Sequence, residues 1–309
     1  MTMPNRRGFT MIELMMALVL TLLVGAVTYQ LLVNNQRVSR AQNSHVSMQD
    51  NVRAGALIVA NELREVGYDD ISAAATLSLT YAPLKPNRTD LVSIAPGAVS
   101  YFAMRGIAFV CGLVSGAPSK VIVRRSTASA LRAPVATDSL FLYVESENKT
   151  ATDDAWVHLG IAGAPAAQNC NDGSAGLAFT VGFPAGLTAV TVFPKVVLGG
   201  PVRLAEVMRL SYYPSGGKSW LGMQSVSAGG AIEPMVGPLA DSTAGQRGFT
   251  LGYLDKNDAP TTVLNDVRTI TVTLKGVTDE RVRGSGATRG AIDSLSLGTR
   301  VALRNTLRP

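Results

Sequence analysis

Histidine is almost missing from this chain of 309 residues, which carries His45, His158 and no other. A hydrolytic triad needs a histidine that can be brought to its nucleophile. His45 falls in a stretch of helical periodicity, so such a triad has little to draw on. Cysteine is as scarce: Cys111 and Cys170 are the whole complement, and their spacing matches no zinc-ligand pattern. Charged residues make up 16% of the chain against 47% hydrophobic ones, and aromatics only 6%. With 30 glycines and 15 prolines, that mixture suits a β-rich, loop-rich globular body. Other gaps are local. No Lys, Arg or His lies between Gly8 and Arg37, and no Pro between Val33 and Val66.

The cation-free gap matters because of what it contains. Asn5-Arg6-Arg7-Gly8 leads straight into about 25 largely apolar residues, Phe9 to Val33, long enough to cross a bilayer as a helix. Glu13 breaks the run at its start. An acid at the centre of a membrane helix costs roughly 2.5–3.5 kcal/mol, less near the end, and its default reading is functional. No cationic side chain of the segment can pair with it. A cut between Gly8 and Phe9 would supply an amine, on the same subunit or a neighbour, that could. A conventional signal peptide would instead be cut after its apolar stretch, at an A-x-A-like site, and none is evident near Val33.

Gly8-Phe9-Thr10-x-Ile12-Glu13-Leu14 resembles the prepilin signature of type IV pilins and type II secretion pseudopilins. The resemblance implies that a membrane-embedded aspartic peptidase cleaves after Gly8 and N-methylates Phe9. It also implies that Glu13, the fifth mature residue, meets the N-terminal amine of a neighbouring subunit during assembly. Arg6 and Arg7 sit on the flank where cytoplasmic basic residues are expected. The remainder is then exported, and the leader removes two of the positive charges behind the formal net +6. In an exported head, Cys111 and Cys170 are most economically a disulfide, worth about 4 kcal/mol by loop closure. Two free thiols are the alternative.

Past Val33 the sequence turns polar and the helix can continue into water. Val38, Ala41, Met48, Val52, Val59, Leu63 and Val66 recur at helical spacing, and Gly67 is the expected C-cap. One helix from Phe9 to Val66 would be roughly 87 Å long. Ala60-Asn61-Glu62-Leu63-Arg64-Glu65-Val66-Gly67-Tyr68 is similar to the DLR-x-x-GY helix end of PilW-type minor pilins. Those proteins commonly place a Cys soon after, whereas Asp69-Asp70 follow here. Residues 69–90 read as a loop. Short strands follow: alternation predicts them at 139–144, at 190–193 and, most cleanly, at Arg268 to Lys275. Met208–Tyr213 turns through Pro214-Ser215-Gly216-Gly217 into Lys218–Leu221, a hairpin. Phe249–Leu254 leads into an Asp255–Asp258 turn. The closing Thr299–Asn305 also looks like the minor-pilin pattern, and the Gly/Ser/Arg-rich stretch 278–293 reads as a mobile loop. The expected class is therefore α+β, a long transmembrane and amphipathic helix docked on a large antiparallel β-rich head. Its divisions are a leader at 1–8, a membrane half at 9–33, an amphipathic half at 34–67 and a head at 68–309.

Enzyme motifs fail on inspection. Gly216-Gly217-Lys218-Ser219 would need Gly where Tyr212 stands to complete a P-loop, and Asp172-Gly173-Ser174-Ala175-Gly176 misses the nucleophile elbow at its first residue. Asp255, Asn257 and Asp258, or Asp153 with Asp154, could offer oxygens to calcium, but neither set has EF-hand spacing and solvated turns are the reading. No metal, cofactor or enzymatic activity is expected. Arg281, Arg283, Arg289, Arg300, Arg304 and Arg308 make the tail basic, yet no aromatics interleave to stack bases, so nucleic acid is not expected as a partner. The resemblance implies a structural minor pilin at or near the pilus tip. Its partners would be other minor pilins, the major pilin and the prepilin peptidase, extending to a PilY1-like tip adhesin. A GspJ-like pseudopilin and a tip module binding DNA or surfaces are the alternatives. Chelating calcium should leave the melting temperature unchanged; a fall would establish an ion at one of the acidic turns.

Overall fold

The computed structural model describes residues 10–66, 89–130, 132–145, 155–183, 187–241, 247–279, 281 and 292–303. Its first element is a single helix, α1, Met11–Glu65, of 55 residues and hence about 82 Å. Proline is absent throughout, so nothing interrupts the backbone ladder. The helix ends at Glu65, where Val66 is extended and its N–H returns to the Leu63 carbonyl. The expected cap, Gly67, lies outside the described residues, as do residues 69–88 of the stretch 69–90 expected to be a loop.

The strands are β1 Leu91–Ala95, β2 Ala98–Val114, β3 Lys120–Arg124, β4 Ser129–Ala130, β5 Ser139–Val144, β6 Ala155–Ile161, β7 Ala166–Asn169 and β8 Ala175–Gly182. A short helix, α2 Ala189–Val192, precedes β9 Pro201–Ser215, β10 Lys218–Ser225, β11 Glu233–Leu239, β12 Phe249–Leu254, β13 Thr269–Val277 and β14 Ser294–Ala302. All pairings are antiparallel. A long helix on a large antiparallel β head is thus the α+β fold expected of a pilin-like chain.

Two long strands, β2 and β9, run side by side from Ala98↔Ser211 to Phe109↔Pro201 and form a spine shared by two units. Where β9 is flanked by β10, and β10 leads through β11 to β13, β12 and β14, the sheet is open and α1 lies on it. Where β9 is instead flanked by β5, the order β2–β3–β8–β6–β5–β9 returns to β2 and closes a small barrel. Its interior is filled by Val110, Val123, Leu140, Leu159, Phe179 and Leu204, among others, and Ala189, Val192 and Phe193 pack against these. Residues 190–193 therefore do not form the strand their alternation suggests. The Thr188 N–H donates to Thr191 Oγ1 at 3.0 Å, closing one helical turn, and Pro194 sits in the 3-10 turn Phe193–Lys195 behind it. Val190, at 75% exposure, points away.

The apolar stripe of α1 meets the sheet only from Met48 onward. Met48, Val52, Val59 and Leu63 are buried, while Val38 stays exposed because no strand reaches it. Burying each such side chain is worth about 1.5–3 kcal/mol. Close approach depends on small residues: a Cβ on Gly276 of β13 would sit 2.3 Å from Val52 Cγ2. Ile270, Val272 and Leu274 of the same strand point into this core. The hairpin between β9 and β10 turns on Gly216 and Gly217 alone, both left-handed at φ 61° and 74°, as a two-residue primed turn requires. Gly276→Val should cost about 1–3 kcal/mol by overpacking, seen as a lower denaturant midpoint; an unchanged midpoint would show that helix and strand are not in close contact.

Candidate functional site

At the start of α1 the structure gives Glu13 a partner of a kind that charge counting overlooks. Thr10 is the N-cap, and its hydroxyl accepts from the Glu13 N–H at 3.3 Å. The Glu13 carboxylate reaches back to the Thr10 N–H at 3.3 Å and the Thr10 hydroxyl at 3.2 Å. This reciprocal capping box satisfies helix-end donors and holds the acid at the mouth of the segment. The signal, Thr followed three residues later by Glu, stands in the sequence. Gly8 and Phe9, the expected cleavage and methylation positions, lie outside the described residues.

Beyond Glu13 the helix is bare. Every large apolar side chain from Met11 to Leu32 is more than half exposed, from 54% at Val19 to 84% at Met11. Two polar residues of this stretch are internally satisfied: Thr21 and Thr28 donate to the Ala17 and Val24 carbonyls, each at 2.7 Å. Such a surface needs lipid or other helices, and this is the one helix among the described residues long and apolar enough to cross a membrane.

At the other end of α1 lies a buried ion cluster with no local sequence signature. Arg105 occupies a bulge in β2 between Met104 and Gly106. Its guanidinium pairs with Glu62 of α1 at 3.0 Å and Glu206 of β9 at 3.1 Å. Arg132 reaches the same Glu206 at 2.7 Å and Asp138, just ahead of β5, at 2.6 Å. Tyr101 donates to Glu62 at 2.8 Å, and Ser225 to Glu206 at 2.6 Å. Burial, then Glu62, pushes the Tyr101 phenol well above its ordinary range, so it remains a donor. Burial alone would raise the Glu206 carboxyl, but hydrogen bonds from Ser225, Arg132 and Arg105 and the charge of Arg132 outweigh it and hold it below the usual carboxylate range. The cluster joins the helix end, the open sheet and the barrel.

Cys111 and Cys170 are bonded, with Cα atoms 5.1 Å apart, and the bridge packs with Ile122 and Ala178. It ties the β7–β8 turn to β2. In that turn Ser174 donates its hydroxyl to Asp172 at 2.6 Å, which Arg124 also holds at 2.6 Å. His158 does meet a serine, Ser139, at 2.8 Å, but Ser139 is 4% exposed and offers no approach to a substrate. At the acidic turn, Asp255 Oδ1 accepts from the N–H groups of Asn257 and Ala259, and Asp258 pairs with Arg300 at 2.6 Å. Asp153, Asp154, Arg283, Arg289, Arg304 and Arg308 lie outside the described residues. Among those described, no cluster of three or more metal-ligating side chains occurs.

Residues 3–29 match the family model of the prokaryotic N-terminal methylation motif. The match covers the segment around Gly8, Phe9 and Glu13 and supports a type IV pilin-like or pseudopilin prepilin, a structural filament subunit rather than an enzyme. With the bare helix it supports membrane anchoring followed by incorporation into a filament, and contact with other pilins and the prepilin peptidase. No curated protein and no solved structure matches the chain.

Glu206 contributes its stabilisation in full above the ordinary carboxylate range, and that contribution fades as pH falls through its lowered pKa. Glu206→Ala, which leaves Arg105 and Arg132 short of a partner, should cost about 3–5 kcal/mol at neutral pH. Glu206→Gln should flatten the acid limb of a stability–pH profile; an unaltered profile would remove this carboxylate from acid unfolding.

Proposed function

We propose that this chain is a minor subunit of a type IV pilus, of the PilW type, that primes assembly and sits at or near the filament tip. The carrying observation is the methylation-motif match on a helix whose apolar half is left bare. Residues 1–8 are then the cytoplasmic leader and 9–33 the half that passes from bilayer to filament core. Residues 34–67 are the half that docks, and 68–309 a head that is first periplasmic and then displayed at the cell surface. The size of the head, with a barrel added to the helix-bearing sheet, suits a low-abundance terminal subunit better than a repeating one. Other minor pilins, the major pilin and a PilY1-like tip adhesin are the partners on this reading.

The capping box at Thr10 supports a role for Glu13 at the N-terminus. Glu13 is held beside the Thr10 N–H, and on this reading cleavage after Gly8 creates a free amine on Phe9, one residue earlier in the sequence. Charge neutralisation by that amine, on the same chain or an arriving one, removes the main obstacle to an acid in an apolar environment. Glu13→Ala should leave cleavage intact but lower incorporation into filaments, whereas Gly8→Ala should leave the precursor uncut; immunoblots of membrane and sheared fractions read both. Full incorporation of the Glu13 variant would contradict the assembly role. Because pseudopilins share the motif, a deletion strain separates the two systems: lost pili with normal secretion support the pilus, and the reverse pattern supports a secretion pseudopilin.

A further inference from the structure

β14 is the end strand of the open sheet. Among the described residues it pairs with β13 alone, over nine consecutive positions with no slip in register. The bonds that bracket this ladder fix which backbone groups face which way. The Thr278 N–H donates to the Asp293 carbonyl, and the Leu303 N–H to the Arg268 carbonyl. Bonded and non-bonded pairs alternate in an antiparallel ladder, so Leu295, Leu297, Thr299 and Val301 bond to β13. Ser296, Gly298, Arg300 and Ala302 then direct their N–H and C=O groups away from it, and all four residues are exposed. At Ser294 the Asp293 side chain takes the outward N–H at 2.7 Å, so the open stretch begins at Ser296. From there to Ala302 it is roughly 20 Å long.

Proteins usually blunt such an edge with proline, lysine, a bulge or an inward charge. β14 has no proline, no lysine and no bulge, and its one charged side chain, Arg300, is held by Asp258 at 2.6 Å. Side chains show what fits beside it. On the face shared with Val301, which is 2% exposed, Leu297 is still 36% exposed, so an aliphatic neighbour would complete the cover of that row. The other face offers Ser296 and Gly298 and suits hydroxyl-bearing residues. A second copy of this chain fits poorly. His45 of α1 lies 3.6 Å from Asp293; farther along, Val52 lies against Gly276, opposite Leu295, and Gly55 against Leu274, opposite Leu297. The helix and β14 thus run the same way. Two β14 edges paired antiparallel would point their helices in opposite directions, which anchoring in one membrane forbids, and parallel pairing is the less stable per residue.

We propose that the outer edge of β14 accepts a strand donated by a different protein, antiparallel to it and alternating aliphatic with hydroxyl-bearing residues. In such strand addition the main-chain bonds supply affinity and the alternate side chains specificity. The argument against a second copy rests on the filament reading; strand addition by the purified chain does not, so the two can fail separately. The probe is a labelled nonapeptide with the sequence of β13, Thr269–Val277, which has this alternation. It is added to the full chain in detergent micelles and followed by fluorescence anisotropy, where saturable binding is expected. Gly298→Pro removes only an outward N–H, a change that an edge strand tolerates. It should weaken binding about tenfold with the melting temperature unchanged. The peptide N-methylated at its threonines, whose amides would face β14, should lose binding to the same degree, and the peptide N-methylated at its Ile, Val and Leu should keep it. That comparison needs no variant of the chain. Absence of saturable binding, or binding indifferent to both changes, would overturn the proposal. Slow hydrogen exchange at residues 296, 298 and 300 in the chain alone would also overturn it, by showing that the chain covers its own edge. So would self-association without peptide that Gly298→Pro abolishes, which would make a second copy the occupant.

Discussion

Arg105 is where the molecule is tied together. One guanidinium, raised by a bulge in β2, takes a carboxylate from the end of α1 and another from the middle of β9. Through Glu206 it is linked to Arg132 and so to the segment that enters the barrel. Removing these charges from water is expensive, and ion pairs of this kind add little net stability over an apolar filling. What the cluster supplies is geometry. Four segments distant in sequence can satisfy one another's charges only in one relative placement, and that placement fixes the long helix against both units of the head.

That fixation matters because α1 has two halves with opposite needs. From Met48 to Val66 it is a core element, seated on β11, β13 and β14 by small residues and a glycine on the facing strand. From Met11 to Leu32 it has no packing partner among the described residues. Force on the free half is transmitted to the head through the docked half, so the contacts at Gly276 and Arg105 are the ones that would bear it when a subunit leaves the bilayer. The disulfide is remote from this path; it closes a turn on the barrel.

Much of the helix was legible in the sequence, since the apolar run, the stripe from Val38 to Val66 and the absence of proline each have a direct physical meaning, although the stripe is buried only from Met48. The strands at 249–254 and 269–277 and the Gly216–Gly217 hairpin were legible for the same reason, half-buried alternation and turn chemistry. The barrel was not. Its strand at 139–144 follows the alternation read there, but the pair that closes the barrel joins residues about a hundred positions apart in β2 and β9, and no local pattern announces that pairing. Val190–Phe193 alternates like a strand yet coils, because a capping threonine and a proline decide the backbone locally. At the N-terminus, a search for cations passes over the Thr10–Glu13 box, which uses backbone and hydroxyl donors. The ion cluster draws on residues 62, 105, 132, 138 and 206, and no local pattern announces such a meeting.

Every functional statement about this chain begins with what happens between Gly8 and Phe9. The most direct measurement is mass spectrometry of the N-terminal peptide of the protein recovered from cell envelopes and from sheared surface filaments. A filament subunit gives a chain that begins at N-methylated Phe9 in both fractions. A chain that still begins at Met1, or one cut beyond Val33, would contradict it.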